Sequence, residues 1–175
     1  VCSSDLKQKI ILSAGDYGFL KIWKLFSSTL LFSLQTQLPF YAVVLCKRSY
    51  SAFVSDGLGQ LFEFKQSKLT KIDQNICFQK SSLAISNNHR IVAVAYKEIY
   101  LYSLKEKKEL LKKDMKKEVL CLRFSHNDKF LFAGCENLLF RLKMPYLSVE
   151  NKYYISGDVW FISISLKSET FALNV

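Results

Sequence analysis

The sequence is poor in the residues that break or punctuate a chain, with only 6 glycines and 2 prolines in 175 residues. It is also poor in metal-binding patterns. The 5 cysteines, at positions 2, 46, 77, 121 and 135, form no C-x-x-C pair, and His89 and His126 stand apart from them and from each other. No zinc site and no other metal or cofactor is therefore expected. Cys46 and Cys121 fall inside the apolar runs "YAVVLC" and "VLCLRF", where cysteine acts as a small hydrophobe. Unpaired thiols and the lack of any N-x-S/T sequon fit a nuclear or cytoplasmic location. No apolar run approaches the roughly 20 residues that span a bilayer, and no signal-peptide pattern is visible.

Half of the residues are hydrophobic and 14% are aromatic, too apolar a composition for a disordered chain. Charge is one-sided: 25 basic against 15 acidic side chains give a formal net charge of +10. Such a balance suits an anionic partner, such as RNA or an acidic surface, or else lysine-rich loops that keep a sheet protein soluble. The opening residues "VCSSDL" match the translation of a common sequencing-adapter tail, so residues 1–6 are set aside as an artefact. The last run, "ETFALNV", breaks off in strand-like sequence, and residues 7–175 are expected to be a partial domain, open at both ends.

What the chain does have is a repeat. "ILSAGDYGFLKIWKL" ends its apolar run at Trp23, "AFVSDGLGQLFEFKQ" at Phe64, "VAVAYKEIYLYSL" at Tyr102 and "LFAGCENLLFRLK" near Leu142, at intervals of 41, 38 and 40 residues. Each unit carries an earlier apolar strand: "FYAVVLC", "SSLAIS", "VLCLRF" and "VWFISIS". A more polar outer strand follows in "STLLFSLQ", "KLTKID" and "KELLKK". Several short strands recurring every 40 or so residues are the signature of four-stranded propeller blades. Hairpin turns are expected at Gly15 and Asp16, Asp56 and Gly57, Lys97 and Glu98, and Glu136 and Asn137. The first strand of each unit, read as the innermost, is expected to be buried on both faces.

"SAGDYGFLKIWKL" and "FSHNDKFLFAG" resemble the WD-repeat (WD40) family, the second through its F-S-P-D-G-K-x-L-A-S-G pattern. The resemblance covers roughly residues 7–175. It implies an all-β propeller of about four blades plus the start of a fifth, each of four antiparallel strands. The tryptophan-aspartate pair of the family appears here as Trp23-Lys24, Phe64-Lys65 and Tyr102-Ser103, and the glycine-histidine pair is absent. Each blade is then expected to rely on apolar packing in place of a histidine-centred hydrogen-bond network.

The chemistry-bearing residues point away from catalysis. Asp16, Asp56, Asp128 and Glu136 fall in tight turns, where such a side chain bonds the local backbone. Gly57 and Gly59 lead into a strand, whereas a phosphate loop opens a helix. His126 stands where the family has proline. Trp23 and Trp160 are read as core anchors, with rim binding as the alternative. The charged stretch is "KEKKELLKKDMKK" (105–117), with seven lysines against three acids. Lys107, Lys108, Lys112, Lys113, Lys116 and Lys117 are its candidate partner or RNA contacts, against the plainer role of a solvated blade edge. Leu110, Leu111 and Met115 would also fit a helical stripe, but the repeat assigns the stretch to an outer strand.

The function these features support is a non-enzymatic scaffold for protein or ribonucleoprotein assembly. The resemblance narrows it to nucleolar ribosome biogenesis, in a small-subunit processome protein. Two other classes are carried: a propeller enzyme with a central-channel site, and an acidic-lipid-binding propeller using Lys47 and Arg48. Neither is favoured: an enzyme site would need polar and charged residues on the innermost strands, which read as apolar, and Lys47-Arg48 is the only paired basic signal for a membrane partner.

Overall fold

The computed structural model describes residues 2–5, 10–15, 17–46, 51–58, 60–73, 81–165 and 171–174. Regular structure among them is entirely β, in antiparallel sheets of two to four strands, with no helix. By internal contact the chain divides into two compact units, Val1–Leu83 and Ala84–Val175.

Unit 1 holds two meanders in chain order. The first is β1 (Cys2–Asp5), β2 (Ile10–Ala14), β3 (Phe19–Lys24) and β4 (Leu30–Gln35). The second is β5 (Phe40–Cys46), β6 (Ser51–Asp56), β7 (Leu61–Lys65) and β8 (Lys68–Asp73). Residues 2–5, set aside on sequence grounds, pair with β2 from Cys2 opposite Ser13 to Asp5 opposite Ile10. Period-2 alternation sends Leu12, Ala14 and Leu20 of the first sheet into one core with Val43, Ala52, Val54 and Phe64 of the second. The rings of Phe32 and Phe64 meet there at 5.0 Å.

Unit 2 is built on three sheets. The first comprises β9 (Ser82–Ile85, begun two residues before the boundary), β10 (Ile91–Ala95), β11 (Glu98–Ser103) and β12 (Lys108–Asp114). The next comprises β13 (Val119–Phe124), β14 (Phe130–Lys143) and β15 (Ser148–Asp158), and the last β16 (Phe161–Ile164) and β17 (Phe171–Asn174). A straight strand as long as β14 would hold its ends roughly 45 Å apart. Yet the Met144 N–H donates to the Lys129 carbonyl at 2.9 Å, just beyond those ends. The strand therefore doubles back midway, at Glu136 and Asn137, where Asn137 takes a left-handed φ of 54°. Its first half pairs with β13 and its second with β15, so the sheet has four passes.

The turns expected between apolar runs are present. Asp56 and Gly57 leave β6, and Tyr96 and Lys97 join β10 to β11 with Glu98 already in the strand. The turn expected at Gly15 and Asp16 falls between β2 and β3, but Asp16 lies outside the described residues. The repeat also has a backbone counterpart. A register shift falls at Ile22/Trp23, at Leu101/Tyr102 and at Arg141/Leu142, where each third strand pairs with the fourth. Trp23, Tyr102 and Leu142 are the residues that align in sequence, so a β-bulge recurs in register. In the second sheet the shift lies at Leu61/Phe62 instead.

Burial corrects one expectation. Of the first strands, β5 and β13 are largely buried, as expected, but β9 and β16 are only partly so, and the most enclosed strands are the middle ones, β6, β10, β11 and the first half of β14. In β14, Leu131, Ala133 and Cys135 pack with residues of β9–β12, while Phe132 packs with Val159 and Ile162 towards the last sheet. Alternate residues thus serve two different cores.

Candidate functional site

Two connections in unit 2 are built from the same bonds. In residues 86–91, Ser86 Oγ accepts from the Ile91 N–H at 3.0 Å and donates to Asn88 Oδ1 at 2.8 Å, which also accepts from the Arg90 N–H at 2.9 Å. In residues 125–130, Ser125 Oγ accepts from the Phe130 N–H at 2.9 Å and donates to Asn127 Oδ1 at 2.8 Å, which accepts from the Lys129 N–H at 3.0 Å. His89 and Asp128 occupy the same left-handed position, with φ 56° and 57°. Serine and asparagine are suited to this because their short side chains mimic backbone acceptors.

Asp128 departs from its expected role. Its carboxylate does not bond its own turn but spans to the neighbouring one, accepting from the backbone N–H of Asn87 at 2.7 Å and of Asn88 at 2.8 Å, and from Asn87 Nδ2 at 3.1 Å. Asn87 Nδ2 also donates to the Ser125 carbonyl at 2.8 Å. The left-handed backbone at Asp128 is what aims its side chain across. Asp56 does take the local role, accepting from the Leu58 and Gln60 N–H groups at 2.9 and 2.8 Å.

The lysine-rich stretch forms the edge strand β12 and its flanks, which disposes of the helical stripe: Leu110 is exposed, Leu111 half-buried and Met115 buried. Alternation puts Lys112 and Lys113 on opposite faces. Lys108 pairs with Glu106 and Lys112 with Glu98, each at 2.9 Å, and Lys116 pairs with Asp114. Lys117 Nζ donates to the Glu136 carbonyl at 3.3 Å. Lys107 and Lys113 have no ion-pair partner among the described residues. Glu98 is held below the usual carboxylate range by the Tyr100 hydroxyl and then by Lys112, whose own value is raised in return. The six candidates therefore do not form one free basic face.

The remaining residues distribute as follows. Phe64 and Tyr102 are buried, and Trp23 is half-buried with its indole N–H donating to Ser13 Oγ at 3.2 Å. Trp160 is 60% exposed, which overturns its reading as a core anchor; it precedes β16 and does not take part in the strand's alternation. Gly15 accepts from the N–H groups of Gly18 and Phe40. Gly57 lies close against Pro39, where a Cβ would sit 2.9 Å from the proline Cγ. His126 is exposed in its turn. Lys47, Arg48, Gly59 and Cys77 lie outside the described residues. No three His, Cys, Asp or Glu among the described residues come together as a metal site. The inter-sheet bond of Asp128 was missed from sequence, and its signal is the paired S-x-N turn in "SNNHRI" and "SHNDKF".

Cys121 and Cys135 are buried, and burial pushes both thiols up to about 12. Since the thiolate is the nucleophile, both should resist iodoacetamide at pH 8 in the native chain and react once it is unfolded in guanidinium. Mass-spectrometric labelling of either at equal rates in both conditions would contradict this packing. The chain matches no protein-family model and no curated protein.

Proposed function

We propose that the chain belongs to a WD-repeat-like β-propeller that serves as a non-enzymatic scaffold, with assembly of a nucleolar, ribosome-building ribonucleoprotein as the narrower reading. The observation that carries it is the duplicated S-x-N turn, repeated in successive meanders and tied across them by Asp128. Two successive copies of one supersecondary unit joined by such a tie are held at a fixed separation, and repeat arrays of this kind present their loops rigidly. The excess of basic residues supplies attraction for RNA or acidic partners.

Sedimentation of the tagged protein from its own cells tests the ribonucleoprotein reading. Migration with large particles, shifted to the free position by ribonuclease, is expected; free migration in both samples would sink it. The lysines have a separate test. Exchanging Lys107, Lys108, Lys112, Lys113, Lys116 and Lys117 for Gln should weaken RNA binding and flatten the slope of log K against log salt. Each phosphate contact on a single strand contributes about 0.7 to that slope. With Lys108, Lys112 and Lys116 already ion-paired, the expected loss is about 2, from roughly three effective contacts. An unchanged slope would leave these lysines the role of keeping an edge strand from pairing with other chains.

A further inference from the structure

A groove of about 350 Å³ opens in unit 2 where the hydrophobic layer between the β9–β12 and β13–β15 sheets reaches the surface. That volume is within the range of pockets that take a small ligand or a few side chains, roughly 300–1,000 Å³. Its lining is apolar, with Ile91, Phe124, Phe130, Met144 and Pro145. The Arg141 guanidinium lies over the ring of Phe130, 3.8 Å from its centroid.

Two lysines complete the lining. Lys129 and Lys143 are distant in sequence, but the reversal of β14 brings its two ends side by side and both lysines to the groove. Both are exposed, and neither has an ion-pair partner among the described residues. The one acid on the lining, Asp128, is already engaged by the three N–H donors of Asn87 and Asn88. An apolar cleft with two uncommitted cations complements an apolar side chain flanked by a carboxylate.

We propose that this groove is a docking site for a short linear peptide segment of a partner protein, one that seats an apolar side chain in the cleft and sets an adjacent carboxylate against Lys129 and Lys143. The site rests on the geometry of unit 2 alone and holds whether or not the partner assembly contains RNA.

Selection of a random-peptide phage library on the full chain tests it. Enriched sequences should pair an acidic residue with a neighbouring apolar one. A synthetic peptide from that set should bind about tenfold more weakly to the Lys129→Glu/Lys143→Glu chain, whose circular dichroism should match the parent. On the unaltered chain, exchanging the peptide's carboxylate for an amide should weaken binding to a similar degree, a measurement independent of how the variant folds. No enrichment, enrichment without the acidic–apolar pair, or enriched peptides indifferent to the amide exchange would overturn the proposal. So would binding of a single-stranded oligouridine that is lost in the same variant, in the absence of any enriched peptide.

Discussion

Gly134→Ala should destabilise unit 2 by about 2–3 kcal/mol, the usual scale for an atom forced into a packed core. A Cβ at Gly134 would lie 2.6 Å from Cys121 Sγ, 2.7 Å from Val159 Cγ1 and 2.8 Å from the Val159 carbonyl. None of the three can yield easily. The Cys121 thiol is tied to the Val159 carbonyl at 3.1 Å, and that carbonyl belongs to the backbone entering β16. The new methyl group must therefore push the β13–β15 sheet and the β16 backbone away from each other. Gly15→Ala is the control, since nothing lies within 4 Å of its would-be Cβ, and it should change stability by less than about 0.5 kcal/mol. Denaturant midpoints on both variants decide the matter. Adding Cys121→Ala to Gly134→Ala should recover only some of the loss, because the Val159 contacts remain; full recovery, or no loss at first, would show that the sheets are not packed at this distance.

The strand order was readable because burial on two sides forces near-continuous apolar runs, and such runs return every 40 or so residues from Trp23 to Leu142. The sequence alignment of Trp23, Tyr102 and Leu142 has a physical basis in the bulge that precedes each of them. Turns were readable for a similar reason, since Asp56, Gly57, Glu136 and Asn137 interrupt those runs with residues that tolerate tight reversal.

What composition could not reveal is where a polar side chain goes once two turns are neighbours. Asp128 and Asp56 look alike in sequence, each an acid in a hairpin turn. A left-handed backbone sends one across to a turn about 40 residues earlier, while the other folds onto its own loop. The lysines of 105–117 fail to form one face for a related reason. Counting charge ignores both the alternation of β12 and the one acid, Glu98, that β11 brings within reach of Lys112. Trp160 misleads because aromatic bulk in an apolar run suggests burial, although it sits just ahead of the strand that follows.

Removing the Asp128 carboxylate should cost about 2–3 kcal/mol in the Asp128→Ala chain, some of it from the lost charge-assisted hydrogen bonds and some from an alanine held at left-handed φ. Further variants separate those contributions. Asp128→Gly relieves the backbone and loses only the bonds, so it should be destabilised by about 1–2 kcal/mol, discounted because the site is partly exposed to solvent. Asp128→Asn keeps one acceptor oxygen and tolerates the backbone, so a loss of about 1 kcal/mol is expected. The reverse exchange, Asn87→Asp, sets a second carboxylate beside the first and deletes the Nδ2 donor to Ser125 and Asp128. Its repulsive component exists only while both carboxylates are ionised, so the deficit of Asn87→Asp relative to the parent should shrink as pH falls through the carboxylate range. A deficit independent of pH, together with an Asp128→Gly chain as stable as the parent, would show that the two turns are held by packing alone and that the Asp128 bonds contribute nothing to joining the sheets.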